Sequence, residues 1–341
     1  MNKSVKNKRL FLVLFLTIFL LLCIIFSIGN YALNVACLPD SPRKNNLEMC
    51  MEEVFNKYPE MRSWRDSLLE AGLWRDTFVI AEDGLKRHAY ILTHNIDTVY
   101  FDKETGDDYD LLGAYGATVV VHGYCDNCAR MMRYYYLHYE VLHRNCLVPD
   151  LYSHGLSEGE NIRFGWLDRL DLTKLWLPMA HNIWPDLNIV QHGLSMGGAT
   201  TMMTSGEEIP DSLNLIGFIE DCGYNSTYEQ LSEKIKTEVG LPAFPFLDAA
   251  DILCKWRFGW SMKESDAEKQ LAKCTRPMLF IHGDADSYVP FYMLQKNYDA
   301  KTQGYKEMWV APGSEHAQSI HDRWEDYISH VKNYIATIEN L

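Results

Sequence analysis

The pentapeptide Gly193-Leu194-Ser195-Met196-Gly197 sets a serine between two glycines. A serine hydroxyl attacks a carbonyl once a neighbouring base takes its proton. The G-x-S-x-G spacing suits a sharp strand-to-helix turn, in which glycines make room for strained backbone and the hydroxyl stands exposed at a helix N-terminus. The flanks fit, with an apolar run ending at Gln191 before the motif and the helix-compatible stretch Gly198 to Met203 after it.

The base and the acid that would orient it are expected further along. The segment Pro312-Gly313-Ser314-Glu315-His316 follows one apolar run and makes His316 the expected base, with His321, five residues on, as its rival. The segment His282-Gly283-Asp284-Ala285-Asp286 follows another and offers Asp286 as the acid, with Asp221 as the rival and Asp284 as a turn-former. Such chemistry also needs two backbone N–H groups aimed at the developing oxyanion. Met196, after the serine, is one expected donor, and Tyr124 in the loop His122-Gly123-Tyr124 is the other. His282 reads as a structural residue at a strand end, and His192 and His154 as loop braces.

Positioning these groups requires a sheet. Asp76 to Ile80 and Arg87 to Thr93 flank the turn signal Glu82-Asp83-Gly84 and predict an antiparallel hairpin. Short apolar β-rich runs recur at Ala117 to Val121, Asn145 to Pro149, Leu187 to Gln191, Leu213 to Ile219, Met278 to Ile281 and Glu307 to Val310. Helix-compatible stretches separate most of them, which predicts an α/β, doubly wound, mostly parallel sheet with its ligand site at the carboxyl ends of the strands. The aromatic, proline-bearing stretch of about 225–273, after the sixth strand, reads as an inserted helical cap that excludes water and sets acyl-group choice.

Leu10 to Ile28 is apolar apart from Thr17 and Ser27 and carries no charge. About 19 residues at about 1.5 Å each just span a hydrocarbon core of about 30 Å. Lys3, Lys6, Lys8 and Arg9 precede it, which predicts an uncleaved signal-anchor with residues 1–9 as a cytoplasmic tail and the rest outside. A lipid bilayer is therefore an expected partner through residues 10–28. The rival reading is a cleaved signal or a lipoprotein signal ending at Ala36-Cys37. Residues 29–75 read as a helical lead-in and 76–341 as the sheet-bearing domain with its cap.

With 341 residues, 47% of them hydrophobic and 13% aromatic, the chain can build a large core and is not of the disordered class. The 46 acidic and 32 basic residues leave a formal charge of −14, and no basic stripe follows the N-terminus, so nucleic acid is not an expected partner. Among nine cysteines, Cys37 with Cys50, or Cys254 with Cys274, are conceivable staples in an oxidising compartment, though spacing does not fix connectivity. Cys125-x-x-Cys128 has redox or zinc spacing without a second ligand pair, and reads as two thiols in a loop or helix start. No cofactor or metal is expected.

The stretches VVVHGY from Val119, PDLYSHGLSEG from Pro149, HGLSMGGAT from His192, HGDADSYVP from His282 and PGSEH from Pro312 together resemble the α/β-hydrolase superfamily. Within it they are most similar to serine aminopeptidase-like or lysophospholipase-like bacterial hydrolases with an N-terminal membrane anchor. The order Ser195, Asp286, His316 is that superfamily's order of nucleophile, acid and base. The resemblance implies a serine hydrolase cleaving acyl esters through an acyl-enzyme, without a cofactor, on a small ester or short peptide substrate. Two departures stand out. Tyr152 occupies a position where the group often has Arg, and the elbow is not the GGSWG form of proline iminopeptidases. An aminopeptidase or amidase of the same fold, and a catalytically silent membrane-tethered binding module, remain as alternatives.

Overall fold

The computed structural model describes residues 3–94, 100–101, 108–109 and 115–341. They fall into two compact units, one of Met1–Pro39 with Thr227–Glu264 and one of Asp40–Ser226 with Ser265–Leu341.

The first unit is helical. Helix α1 (Lys3–Cys37) runs unbroken through the apolar stretch and about two and a half turns beyond Ile28. Residues 7–24 are exposed throughout, and by length and composition the helix can cross a membrane. Exposed apolar residues on this scale need an apolar surrounding. The helix continues because the segment after Ile28 has no proline and a face to bury. Gly29, Leu33 and Cys37 recur at helical spacing, and all three are buried. They lie toward α2 (Phe246–Phe258), whose Leu247, Ala250 and Cys254 are buried in turn. The two backbones touch at Gly29, where a Cβ would stand 2.8 Å from Ala249 Cβ and 2.9 Å from Ala250 N. At the rim, Arg257 Nη1 donates to Asn30 Oδ1 at 3.0 Å and to Asn34 Oδ1 at 2.8 Å.

The second unit carries an eight-stranded sheet. Its strands are β1 (Trp74–Ile80), β2 (Lys86–Leu92), β3 (Gly116–Val121), β4 (Arg144–Pro149), β5 (Ile189–Leu194), β6 (Leu215–Asp221), β7 (Met278–Gly283) and β8 (Lys306–Ala311). The spatial order is β1-β2-β4-β3-β5-β6-β7-β8. The β1–β2 hairpin and the β2–β4 pair are antiparallel; the other pairs run parallel. The strands β3, β4, β5 and β7 are buried along their whole length, as parallel strands covered on both faces must be.

Register brings the strand ends together. Val121 pairs with Gly193, Leu194 with Asp221, Asp221 with Ile281, and Gly283 with Ala311. The loops after β3, β5, β6, β7 and β8 therefore open on one edge. Chain order reverses between β3 and β5, and the crevice beside such a switch point is where this architecture places its ligands.

Candidate active site

Ser195 follows directly on β5 and precedes the helix Met196–Thr204. Its φ of 55° and ψ of −114° lie in a strained region for a non-glycine residue, and its N–H donates to Asp221 O at 2.7 Å, which pins the turn. The flanking glycines are steric necessities. A Cβ on Gly193 would meet Gly197 O at 2.0 Å, and one on Gly197 would meet Val121 O at 2.1 Å.

Three residues expected from the sequence meet in a line. Ser195 Oγ is 2.9 Å from His316 Nε2, and His316 Nδ1 is 2.7 Å from Asp286 Oδ2. A carboxylate only accepts, so Nδ1 carries the ring proton and Nε2 of the neutral ring is free to accept from the serine. Asp286 Oδ1 takes the N–H groups of Tyr288 and Val289, each at 2.9 Å. Burial alone would raise the Asp286 pKa, but the donors His282 and His316 outweigh it and hold the carboxyl down to about 2. It is charged at neutral pH and fixed from both oxygens.

The loop His122-Gly123-Tyr124 passes beside the serine, since a Cβ on Gly123 would lie 3.5 Å from Ser195 Cβ. His122 Nε2 accepts from Leu151 N–H at 2.9 Å while Nδ1 donates to Gly123 O at 2.8 Å, and these two bonds brace the loop. The Tyr124 ring stacks on Phe164, centroids 5.4 Å apart. Met196 heads its helix, where the first-turn N–H groups have no intrahelical acceptor.

The rival residues are engaged elsewhere. His321 Nδ1 is 2.6 Å from Tyr58 Oη, and burial with nearby Lys57, Arg133 and Arg130 lowers its pKa to about 3. Asp221 Oδ2 accepts from Tyr134 and Tyr327, each at 2.9 Å. Asp284 Oδ1 takes Gly313 N–H. His192 bridges His138 and Tyr327, and His154 turns Nδ1 to Tyr152 O.

Several neighbours were not anticipated. His282 Nε2 reaches both Val289 O and the Asp286 carboxylate. The Tyr288 ring tilts against His316 at 4.9 Å. Cys222, buried just past β6, has its thiol within 4.8 Å of ligand atoms of Asp286 and His316; as the residue after a strand end, it was open to the same rule that located Ser195. Tyr152 carries two guanidinium groups over its ring, with Arg163 Cζ at 3.8 Å and Arg87 Cζ at 4.8 Å from the centroid. That stack braces the loop. Cys128 is buried beside His88 and Asp150. Asp150 Oδ1 accepts Cys128 N–H at 2.7 Å, while Oδ2 meets His88 Nδ1 at 2.6 Å and Leu156 N–H at 2.9 Å. Its oxygens are thus taken up by protein donors.

No family model matches the chain. An uncharacterised protein of Bacillus subtilis (strain 168), YqkD, is 29% identical over 217 residues, 64% of this chain and 70% of that one. Among solved structures, the Pyrococcus furiosus esterase Pf2001 superposes with a TM-score of 0.58 at 18% identity, covering 77% of this chain and 92% of its own. Est1E of Butyrivibrio proteoclasticus, solved with ferulic acid bound, gives 0.52 at 18% identity over 78% of this chain and all of its own. Mouse alpha/beta hydrolase domain-containing protein 10 gives 0.51 at 14% identity over 77% and 99%. The fold is the α/β-hydrolase fold. Ser195 holds the strand-to-helix turn after β5.

Proposed function

We propose that this protein is a serine hydrolase that cleaves carboxylic esters through an acyl-enzyme. The observation that carries the reading is the hydrogen-bonded line Ser195, His316, Asp286 at the elbow. In this mechanism His316 Nε2 takes the Ser195 proton as Oγ adds to the ester carbonyl, and Asp286 stabilises the imidazolium. The N–H groups of Met196 and Tyr124 receive the oxyanion. Collapse expels the alcohol, which takes the proton from His316 and leaves the acyl group on Ser195; water, deprotonated by the same histidine, then releases the acid. All steps use groups of this chain.

We further read α1 as a membrane anchor with its N-terminus inside and the hydrolase unit outside. The basic residues before Leu10 and the exposed apolar helix support this orientation.

The test is the detergent-solubilised full chain assayed on p-nitrophenyl acyl esters of graded length beside aminoacyl nitroanilides, with Ser195→Ala as control and a fluorophosphonate probe as label. Ester turnover and labelling that both vanish in the variant are expected. Turnover of the anilides alone would make it an amidase. Neither activity nor labelling in folded protein would leave a binding module.

A further inference from the structure

Two thiols that sequence spacing does not pair meet inside the helical unit. Cys37 ends α1, Cys254 lies in the third turn of α2, and both are fully buried. They belong to the meeting stripes Gly29, Leu33, Cys37 and Leu247, Ala250, Cys254, whose close approach is fixed by the Gly29 contact and by Arg257 on Asn30 and Asn34. The side chains hydrogen-bond to one another, which together with burial pushes the Cys254 thiol well up. The partners considered from spacing are engaged otherwise. Cys50 Sγ contacts Arg43 O and Asn127 Nδ2, and Cys274 Sγ contacts Arg276 O.

We propose that Cys37 and Cys254 form a disulfide that joins the membrane-anchor helix to the inserted helix. The inference rests on the proposed topology, because an extracytoplasmic compartment supplies the oxidant. That oxidant is a disulfide, of a thiol oxidoreductase or of a small thiol. One cysteine thiolate attacks it to give a mixed disulfide and a released thiol. The second thiolate then displaces the other half, so the two cysteines lose two electrons and two protons and the oxidant becomes two thiols. Because the buried pair is closed to an oxidant once docked, the exchange takes place while the helices are assembling.

The experiment counts free thiols. Cells making the full chain are lysed into acid to trap thiols, and the protein is denatured in SDS and alkylated with a polyethylene glycol maleimide that shifts the gel band once per cysteine. The nine cysteines make the expected count seven without reduction and nine after it. Cys37→Ser and Cys254→Ser, each freeing the other partner, should each read eight with or without reductant, and the double variant seven. Nine without reduction, with eight in each single variant, overturns the proposal. Seven that stays seven after reduction also overturns it and identifies a processed chain with a lipid on Cys37. Protease access to the hydrolase unit in intact cells separates the two readings: an accessible unit with nine free thiols sinks the disulfide alone, and a protected unit with nine free thiols sinks the topology with it.

Discussion

His282 donates from Nε2 to Asp286 Oδ2 at 3.2 Å, the same oxygen that His316 holds at 2.7 Å. One carboxylate thus anchors two imidazoles, and only one of them faces the serine. Its pKa, held near 2 against an ordinary value of 3.8, stabilises the folded chain above the ordinary value; that stabilisation disappears as pH falls toward 2. The stability gap between the native chain and Asp286→Asn should narrow by roughly 1–2 kcal/mol between about pH 6 and about pH 2.5, read by urea unfolding. His282→Leu removes one donor and raises the folded-state pKa toward 3.8, so the narrowing of the gap should be smaller and complete at a higher pH. A constant gap would show that the carboxyl is not held down.

The two candidate bases are separable by kinetics. His316→Gln should lower ester kcat by about a thousandfold or more, because Nε2, 2.9 Å from Ser195 Oγ, is the atom placed to take its proton. His321→Gln should leave kcat within about fivefold while costing roughly 1 kcal/mol of stability through the lost Tyr58 bond. The reverse pattern would reassign the base.

Gly197→Ala should cost more than about 2 kcal/mol or prevent folding, since its Cβ would fall 2.1 Å from the carbonyl oxygen of Val121 and neither backbone can withdraw without breaking the β3–β5 register. Thermal unfolding of the purified variant checks this. An unchanged midpoint would mean that the turn is more yielding than its geometry.

At Tyr152, the ring faces Arg87 and Arg163, which are neutralised by Asp83, Asp168 and Asp171. Tyr152→Phe should be nearly neutral and Tyr152→Leu should cost about 1 kcal/mol. Tyr152→Arg should cost at least as much, because it loses both ring contacts and sets a third guanidinium beside the other two. Comparing the three midpoints tests the stacking account, and an arginine variant as stable as wild type would refute it.

Local patterns made much of this legible in advance. The runs around Val119, Val190 and Phe280 are apolar and β-rich because both sheet faces are covered, and their ends locate the chemistry-bearing loops. Ser195, Asp286 and His316 each follow such an end, so strand position and residue type brought them forward as candidates, with His321 and Asp221 as rivals. What stayed hidden depends on contacts between distant segments. Nothing in the spacing of His282 shows that its ring reaches back four residues to Asp286, rather than only forward to Val289. Nor does local sequence show why a glycine stands at position 29, where packing against Ala249, some two hundred residues away, makes a bare Cα the residue that fits. The Cys37 and Cys254 pairing follows from that same contact and was invisible for the same reason.

The touch of Gly29 on Ala249 fixes an order of events in biogenesis. The segment 227–264 leaves the ribosome long after residues 1–39, so when α2 forms, its docking face has to find a helix made much earlier. Completion of this helical unit thereby waits on translation of most of the chain. A recombinant fragment begun at Leu38 for solubility would be made without the template against which Leu247, Ala250 and Cys254 are buried.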